Sequence, residues 1–291
     1  MRRTLPIVVL AVLLLAIGVT QFHHWGAPPI PLGAETLSIH FLDVGQGDCA
    51  LIQTPDGRNV LVDAGDEAHG DEVVRYLTAS GVNQIDLLVI THPHSDHIGG
   101  LPAVLESFGV SRVLDTGCPH GSQTYKAVLA TIQARKIDYR LACDLRKPSV
   151  CGNVTFEVLW PPPEYQPAGE EGLNDGSIVL RVEYGGIGVL LAGDIQKDAE
   201  GKLLASGHVL ESAVLKVAHH GSESGTSNEL LQLVKPAYAV ISVGADNSYG
   251  HPSRSVLDRL AAIGAQVYRT DEQGAIAIIT DGKTVQVRSE R

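Results

Sequence analysis

Within the string Thr91-His92-Pro93-His94-Ser95-Asp96-His97 the chain sets three histidines and one aspartate almost side by side. A neutral imidazole nitrogen suits a borderline metal and a carboxylate adds a hard oxygen, so this spacing points to metal binding. Ligand-type side chains packed this closely are costly to bury unless a partner compensates them. A solvated surface cluster of histidines is the bland alternative, and the flanks argue against it. Upstream, Ile85-Asp86-Leu87-Leu88-Val89-Ile90 is apolar and rich in aliphatics, which reads as a buried strand. Downstream, Gly99-Gly100 leads into an apolar segment from Leu101 to Leu105. The ligands therefore fall on a loop between a strand and a helix, where α/β proteins usually build their sites.

Four further strings share the character of short apolar runs ending in polar residues. They are Phe41-Leu42-Asp43-Val44-Gly45-Gln46-Gly47-Asp48, Val60-Leu61-Val62-Asp63-Ala64-Gly65, Leu191-Ala192-Gly193-Asp194 and Leu215-Lys216-Val217-Ala218-His219-His220-Gly221-Ser222. Together with the histidine string they resemble the metallo-β-lactamase fold, a superfamily of mostly hydrolytic two-metal enzymes. Within it they are similar to the hydrolase domain of the ComEC competence DNA-uptake proteins and their free-standing relatives, from about Leu37 to the C-terminus.

The resemblance implies a four-layer αβ/βα sandwich and two divalent metal ions, zinc or manganese. It implies His92, His94, Asp96, His97, Asp194, His219 and His251 as ligands. Asp194 matches the bridging carboxylate, although a loop-capping aspartate would look the same. His251, in Tyr249-Gly250-His251-Pro252-Ser253, matches the last ligand and opens a helix. Adjacent histidines point apart on an extended chain, so one of His219 and His220 is expected to face the site. His219 is assigned to the metal, and His220 to proton transfer with Asp96. Lys216 either touches a phosphate oxygen or is a surface lysine; the first choice makes it catalytic. Asp63 is expected to orient a ligating histidine, while Asp43 and Asp48 serve either their glycine-rich turn or the site. One departure stands out: Asn174-Asp175-Gly176-Ser177 lies where many members carry a further histidine. Asn174 or Asp175 would then supply an oxygen, or His120 would come from elsewhere, and oxygen-rich ligation would favour manganese. Asn174 and Ser222 are assigned to substrate contact. Two metals held this way would activate a water for attack on a phosphorus or carbonyl centre.

The elements that must hold these residues can be read in outline. The chain has 291 residues, 44% hydrophobic, enough for a large core. Its net charge of −11 is not that of a passive nucleic-acid binder, though metals would offset the acidic excess locally. Arg2 and Arg3 before the apolar run Leu5 to Val19 have the layout of an export signal. We expect residues 1–22 to be a signal anchor or signal peptide, 23–36 a proline-rich linker and 37–291 the hydrolase domain. Export would put the cysteines in an oxidising space, with Cys143 and Cys151 placed for a disulfide and Cys49 a buried thiol.

Leu37 to Phe41 alternates like a half-buried strand, and Pro55-Asp56-Gly57 reads as a hairpin turn. Helices are expected over Asp71 to Ser80, Tyr125 to Lys136 and Ser253 to Ile263, and a loop from Glu164 to Gly172. The export layout together with the resemblance, on which the DNA part rests alone, implies an exported, membrane-anchored phosphodiesterase or DNase related to DNA uptake. The alternatives are hydrolysis of another extracytoplasmic ester or a β-lactam, and a non-catalytic tethered metal-binding module.

Overall fold

The aliphatic runs pair into two main sheets. The computed structural model describes residues 35–144, 149–151 and 153–291. The expected anchor over 1–22 and most of the linker lie outside these residues, as does the side chain of Cys151 in the expected disulfide. Among the described residues no helix is long and apolar enough to cross a membrane.

The first sheet has eight strands, in the order Val285–Ser289, Ile276–Thr280, Leu37–Phe41, Ala50–Gln53, Asn59–Val62, Leu87–Ile90, Arg112–Asp115 and Asp138–Leu141. The second has seven: Gln266–Arg269, Tyr238–Ile241, Val214–Lys216, Ile187–Leu191, Val179–Tyr184, Val154–Trp160 and Ser149–Cys151. Each sheet is mixed. The last four strands of the first sheet run parallel, and so do the first four of the second. Parallel runs need both faces covered, and three apolar clusters supply this. Phe41, Ile52 and Val89 meet Val189, Leu191 and Val240 between the sheets. Val73, Leu77, Val104 and Val128 bring the helices Gly70–Ala79, Leu101–Ser107 and Gln123–Ala134 onto the outer face of the first sheet. Leu203, Leu231 and Val256 do the same for Lys197–Ala205, Asn228–Val234 and Arg254–Ala262 on the second. The four-layer αβ/βα sandwich is therefore present.

Several expectations change. Leu37–Phe41 is buried along its whole length, because the helix Gly70–Ala79 covers the face that alternation had left to solvent. His40 on that face is 2% exposed and lies 2.8 Å from Tyr76 Oη and 3.0 Å from Ser38 Oγ. The presumed loop Glu164 to Gly172 runs into a short helix, Gly169–Asp175, whose composition lacks helical periodicity. The helices Lys197–Ala205 and Asn228–Val234 have no counterpart in the reading above. Gly201 interrupts one, and the other is only seven residues long, started by Ser227, whose hydroxyl accepts from Leu230 N at 3.1 Å.

Burial lowers the His40 pKa from the usual 6.5 to about 4. Between those values the unfolded chain binds the proton and the folded chain does not, so stability falls as pH drops through that window and is unaffected above it. Chelator-treated protein is expected to lose about 3 kcal/mol to this group by pH 4. His40→Gln should remove that component; equal denaturant midpoints against pH for both proteins would show that His40 is not responsible.

Candidate metal centre

The carboxyl ends of the parallel strands in both sheets face one region, and that is where the sequence places its ligand-type residues. Asp63 follows Asn59–Val62, and His92, His94, Asp96 and His97 follow Leu87–Ile90. Asp194 follows Ile187–Leu191, His219 and His220 follow Val214–Lys216, and His251 lies beyond Tyr238–Ile241. The mixed topology thus aims loops from opposite halves at one cleft, of about 440 Å³, whose walls include His94, Asp96, Asn174, Asp194, His219 and His251.

At the bottom of the cleft Asp194 is 2% exposed. Its Oδ2 lies 3.3 Å from His97 Nε2, 3.4 Å from His220 Nε2, and 3.9 Å from the Nε2 atoms of both His92 and His219. Asp96 Oδ2 is 3.6 Å from His220 Nε2. The histidines are held from behind. His97 Nδ1 donates to Asp63 at 2.8 Å, and His220 Nδ1 donates to the Ser242 carbonyl at 3.0 Å. His92 Nδ1 sits 3.1 Å from the Thr91 hydroxyl and 3.2 Å from that of Ser177. Asp63 is itself fixed by Thr91, which donates its backbone N–H at 2.8 Å and its hydroxyl at 2.6 Å. This fulfils the orienting role expected of Asp63. Tying Nδ1 in this way turns Nε2 inward, that of His92 also lying 3.0 Å from His94 Nδ1.

The charges are balanced only within the cluster. Burial drives the Asp194 carboxyl up, but His220 and His97 outweigh it and hold it well below the carboxylate range. Burial likewise pulls His97 and His220 down; the carboxylates of Asp194 and Asp63 around one, and of Asp194, Asp48 and Asp96 around the other, hold both well above the usual imidazole range. Asp96 is held at about 2, with burial overcome chiefly by His220, whose Nε2 lies 3.6 Å away. A site that so favours positive charge on inward-facing Nε2 atoms is one that fits a metal cation. His97 Nε2, His220 Nε2 and Asp194 Oδ1 are buried without hydrogen-bond partners, the mark of groups built for another ligand. Two groupings have donor atoms within 4.8 Å of one another, His92 with His97 and Asp194, and Asp96 with His97 and His220. Since His97 has one free nitrogen it serves one of them.

The histidine pair departs from expectation. His219 and His220 are not extended: both are left-handed, with φ of 48° and 55°, and Gly221 follows at 83°. This turn brings both rings to Asp194, so facing the site is not a choice between them. Their surroundings also differ. His220 is the buried ring that groups with Asp96 and His97, whereas His219 is partly exposed at the wall, 3.5 Å from Asn174 Nδ2, with its ring 5.7 Å from that of His251. Two successive left-handed residues with side chains cost roughly 1–2 kcal/mol each, a strain typical of functional sites.

Lys216 is neither at the surface nor in the cleft. It is 2% exposed and its Nζ lies 2.7 Å from Asp48 Oδ2, while Asp48 Oδ1 is 3.4 Å from His220 Nδ1. The strand direction explains this: Lys216 points inward beneath the ligands, so its expected contact with phosphate is not available. Asp48, left open between turn and site, serves both. Burial raises it, but Lys216 and His220 hold it well below the carboxylate range. Its turn presses against the ligand loop, with Asp48 N donating to the Asp96 carbonyl at 3.2 Å, and a Cβ at Gly47 would collide with that same carbonyl. Asp43 stays outside, paired with Arg291 at 2.7 Å.

Ser222 is also corrected. It is buried, its hydroxyl lies 2.9 Å from that of Ser224, and Ser224 reaches His219 Nδ1 at 3.4 Å, so it supports a histidine and does not line the cleft. Asn174 does line the cleft, and its Oδ1 is buried with no partner. Asp175 turns away to accept from Gln196 N at 2.7 Å. His120 reaches the cleft, with its ring 6.1 Å from that of His94. Gln46, Ser95, Ser122, Thr124 and Tyr249 complete the walls. None of these five had been assigned a role; polar loop residues carry no periodic signal, and only the position of Tyr249 beside His251 could have marked it.

An αββα sandwich with buried histidines and carboxylates at its strand ends defines a metal-dependent hydrolase. The chain belongs to the Metallo-beta-lactamase superfamily, whose family model matches residues 42–245. It is similar to ComE operon protein 3 of Bacillus subtilis, with 32% identity over 257 residues, 82% of this chain and 32% of that protein. It is similar too to Competence protein ComA of Neisseria gonorrhoeae, at 33% over 238 residues, 80% of this chain and 31% of that protein. The chain thus spans about a third of the length of these relatives. Among solved structures it resembles Igni18, a metallo hydrolase from Ignicoccus hospitalis, with a TM-score of 0.51 at 16% identity, covering 82% of this chain and 98% of that one. At that identity the likeness speaks for the fold.

Proposed function

We propose that the chain is a metal-dependent phosphodiesterase acting on DNA, tethered outside the cytoplasm by residues 1–22. The carrying observation is the convergence of His92, His97 and His220 Nε2 on Asp194, with each Nδ1 held from behind. His92, His94 and Asp194 would hold one ion; Asp96, His97, His220 and the shared Asp194 would hold a second. Bound there, divalent ions supply Lewis acidity and lower the pKa of water. The chain's own residues then orient the substrate. His219, partly exposed and with burial lowering its pKa, stands at the cleft wall as a neutral proton acceptor. Asn174 and the hydroxyls of Ser95, Ser122 and Thr124 offer hydrogen bonds to a polar substrate.

Phosphodiesters are favoured by this polar lining and by the similarity to proteins named for competence. The described lining carries Asp96 and Asp194 but no lysine or arginine. The attraction for phosphate must therefore come from the metals, and binding as well as cleavage should need them. Arg2 and Arg3 before an apolar run support the tether.

The test uses cells expressing the full chain. The membrane fraction, and the full chain purified from it in detergent with added manganese or zinc, is expected to cleave DNA. A chelator should abolish both cleavage and retention of a labelled oligonucleotide. Activity confined to the soluble fraction would remove the tether. A folded, metal-loaded protein inert on DNA but active on a β-lactam or carboxylic ester would replace the substrate assignment.

A further inference from the structure

The mouth of the cleft carries an aromatic side chain that the chemistry above leaves unused. Tyr249 is 69% exposed, yet it lines the same cleft as Asp194 and His219. Large aromatics seldom stand this free without a use for their faces, although single exposed ones do occur. Here the loop beneath is fixed. Asn247 Oδ1 accepts from Tyr249 N at 3.2 Å and from His251 N at 3.1 Å, while Asn247 Nδ2 donates to the carbonyls of Gly244 at 3.0 Å and His251 at 2.7 Å. The Tyr249 ring lies nearly parallel to that of His251, 5.8 Å between centroids and 23° between planes. The loop that brings a ligand-type histidine to the cleft thus also presents a flat ring beside it. The other walls combine small polar residues, Ser95, Ser122, Thr124 and Asn174, with Gln46 and the smaller rings of His94 and His120.

We infer that Tyr249 is a stacking platform for a nucleobase next to the phosphodiester being cut, so that the substrate is single-stranded nucleic acid. This rests on the phosphodiesterase reading and sharpens it. A phosphate at Asp194 places the neighbouring sugar and base at the cleft mouth, where an aromatic face can take up the base. Stacking tolerates any base because every base has a π-face. In a duplex both faces of a base are already covered by its neighbours, so the platform is useful only to an unpaired strand.

The experiment is a two-by-two cycle on the metal-loaded full chain: wild type and Tyr249→Ala, each with a single-stranded oligonucleotide and with the same strand made abasic around the cut site. Tyr249→Ala is expected to lower kcat/KM on the intact strand by roughly 5- to 150-fold, mostly through KM, as loss of one stacked base would. Removing the bases should cost wild type a similar factor, and the two changes together should cost no more than either alone. Tyr249→Phe keeps the ring face and should recover most of the kcat/KM lost in Tyr249→Ala. Wild type should also prefer single-stranded to duplex DNA, a preference that Tyr249→Ala diminishes. Independent, multiplying losses, or a wild-type rate for Tyr249→Ala on the intact strand, would overturn the platform while leaving the phosphodiesterase reading standing. A wild-type protein that cuts neither strand would overturn both.

Discussion

Asp194→Asn is expected to lower kcat/KM by about 10³-fold or more, since positioned metal ions contribute several kcal/mol of transition-state stabilisation. The substitution is nearly isosteric, so packing is kept while the negative charge is lost. That charge lies within 3.3–3.9 Å of the Nε2 atoms of four histidines, His92, His97, His219 and His220. A neutral amide is a weaker ligand for a cation than a carboxylate, and its NH₂ would turn a donor towards nitrogens whose lone pairs a metal would need. Elemental analysis should show reduced metal content alongside the lost rate, and far-UV circular dichroism should show an intact fold. A variant with full metal content and wild-type turnover would mean that Asp194 does not organise the centre.

Asp48→Ala should act mainly on stability. Lys216 is 2% exposed, and besides Asp48 its Nζ donates to the Val217 carbonyl at 3.1 Å. Removing the carboxylate leaves a buried ammonium without an anion, which costs roughly 3–5 kcal/mol. It also removes one of the groups behind His220, and loss of such support typically weakens metal binding about 10- to 100-fold. The two effects can be separated. In Asp48→Ala/Lys216→Met no stranded charge remains, so most of the stability should return. Metal affinity should stay low, because His220 has still lost its carboxylate. Denaturant unfolding of chelated protein measures the first effect, and metal titration the second. If the single variant loses less than about 1 kcal/mol, or the double variant regains nothing, the ion pair is not what holds this corner together.

The ligand string and the sheet cores were legible because each has a local signature. His92 to His97 is dense in ligand types, and runs such as Leu87–Ile90 are long enough in aliphatics to be strands in any surroundings. Asp63 was legible as an orienting residue from its position after a buried strand. Other features depend on contacts that no single stretch contains. The burial of His40 comes from a helix thirty-odd residues away, through Tyr76. The position of Lys216 depends on Asp48, which arrives from the opposite sheet. The left-handed pair His219-His220 contradicts the ordinary preference of residues with side chains, and only Gly221 hinted at a turn there. Sequence reasoning therefore brought both histidines to the cleft but set them on an extended backbone, and so expected only one of the two rings to face it.

The dispersal of the site over strand ends bears on what the fold must keep together. Its residues reach from Asp48 to His251 and hang from loops of both sheets, so no shorter segment carries a working fraction of it. Such a centre depends on the whole layered unit, because each loop is aimed by its own strand. The similarity to ComE operon protein 3 and Competence protein ComA extends over about four-fifths of the chain, a span long enough to hold every one of these residues. In architectural terms the sandwich is a frame, and its indivisible part is the seam where the two halves meet.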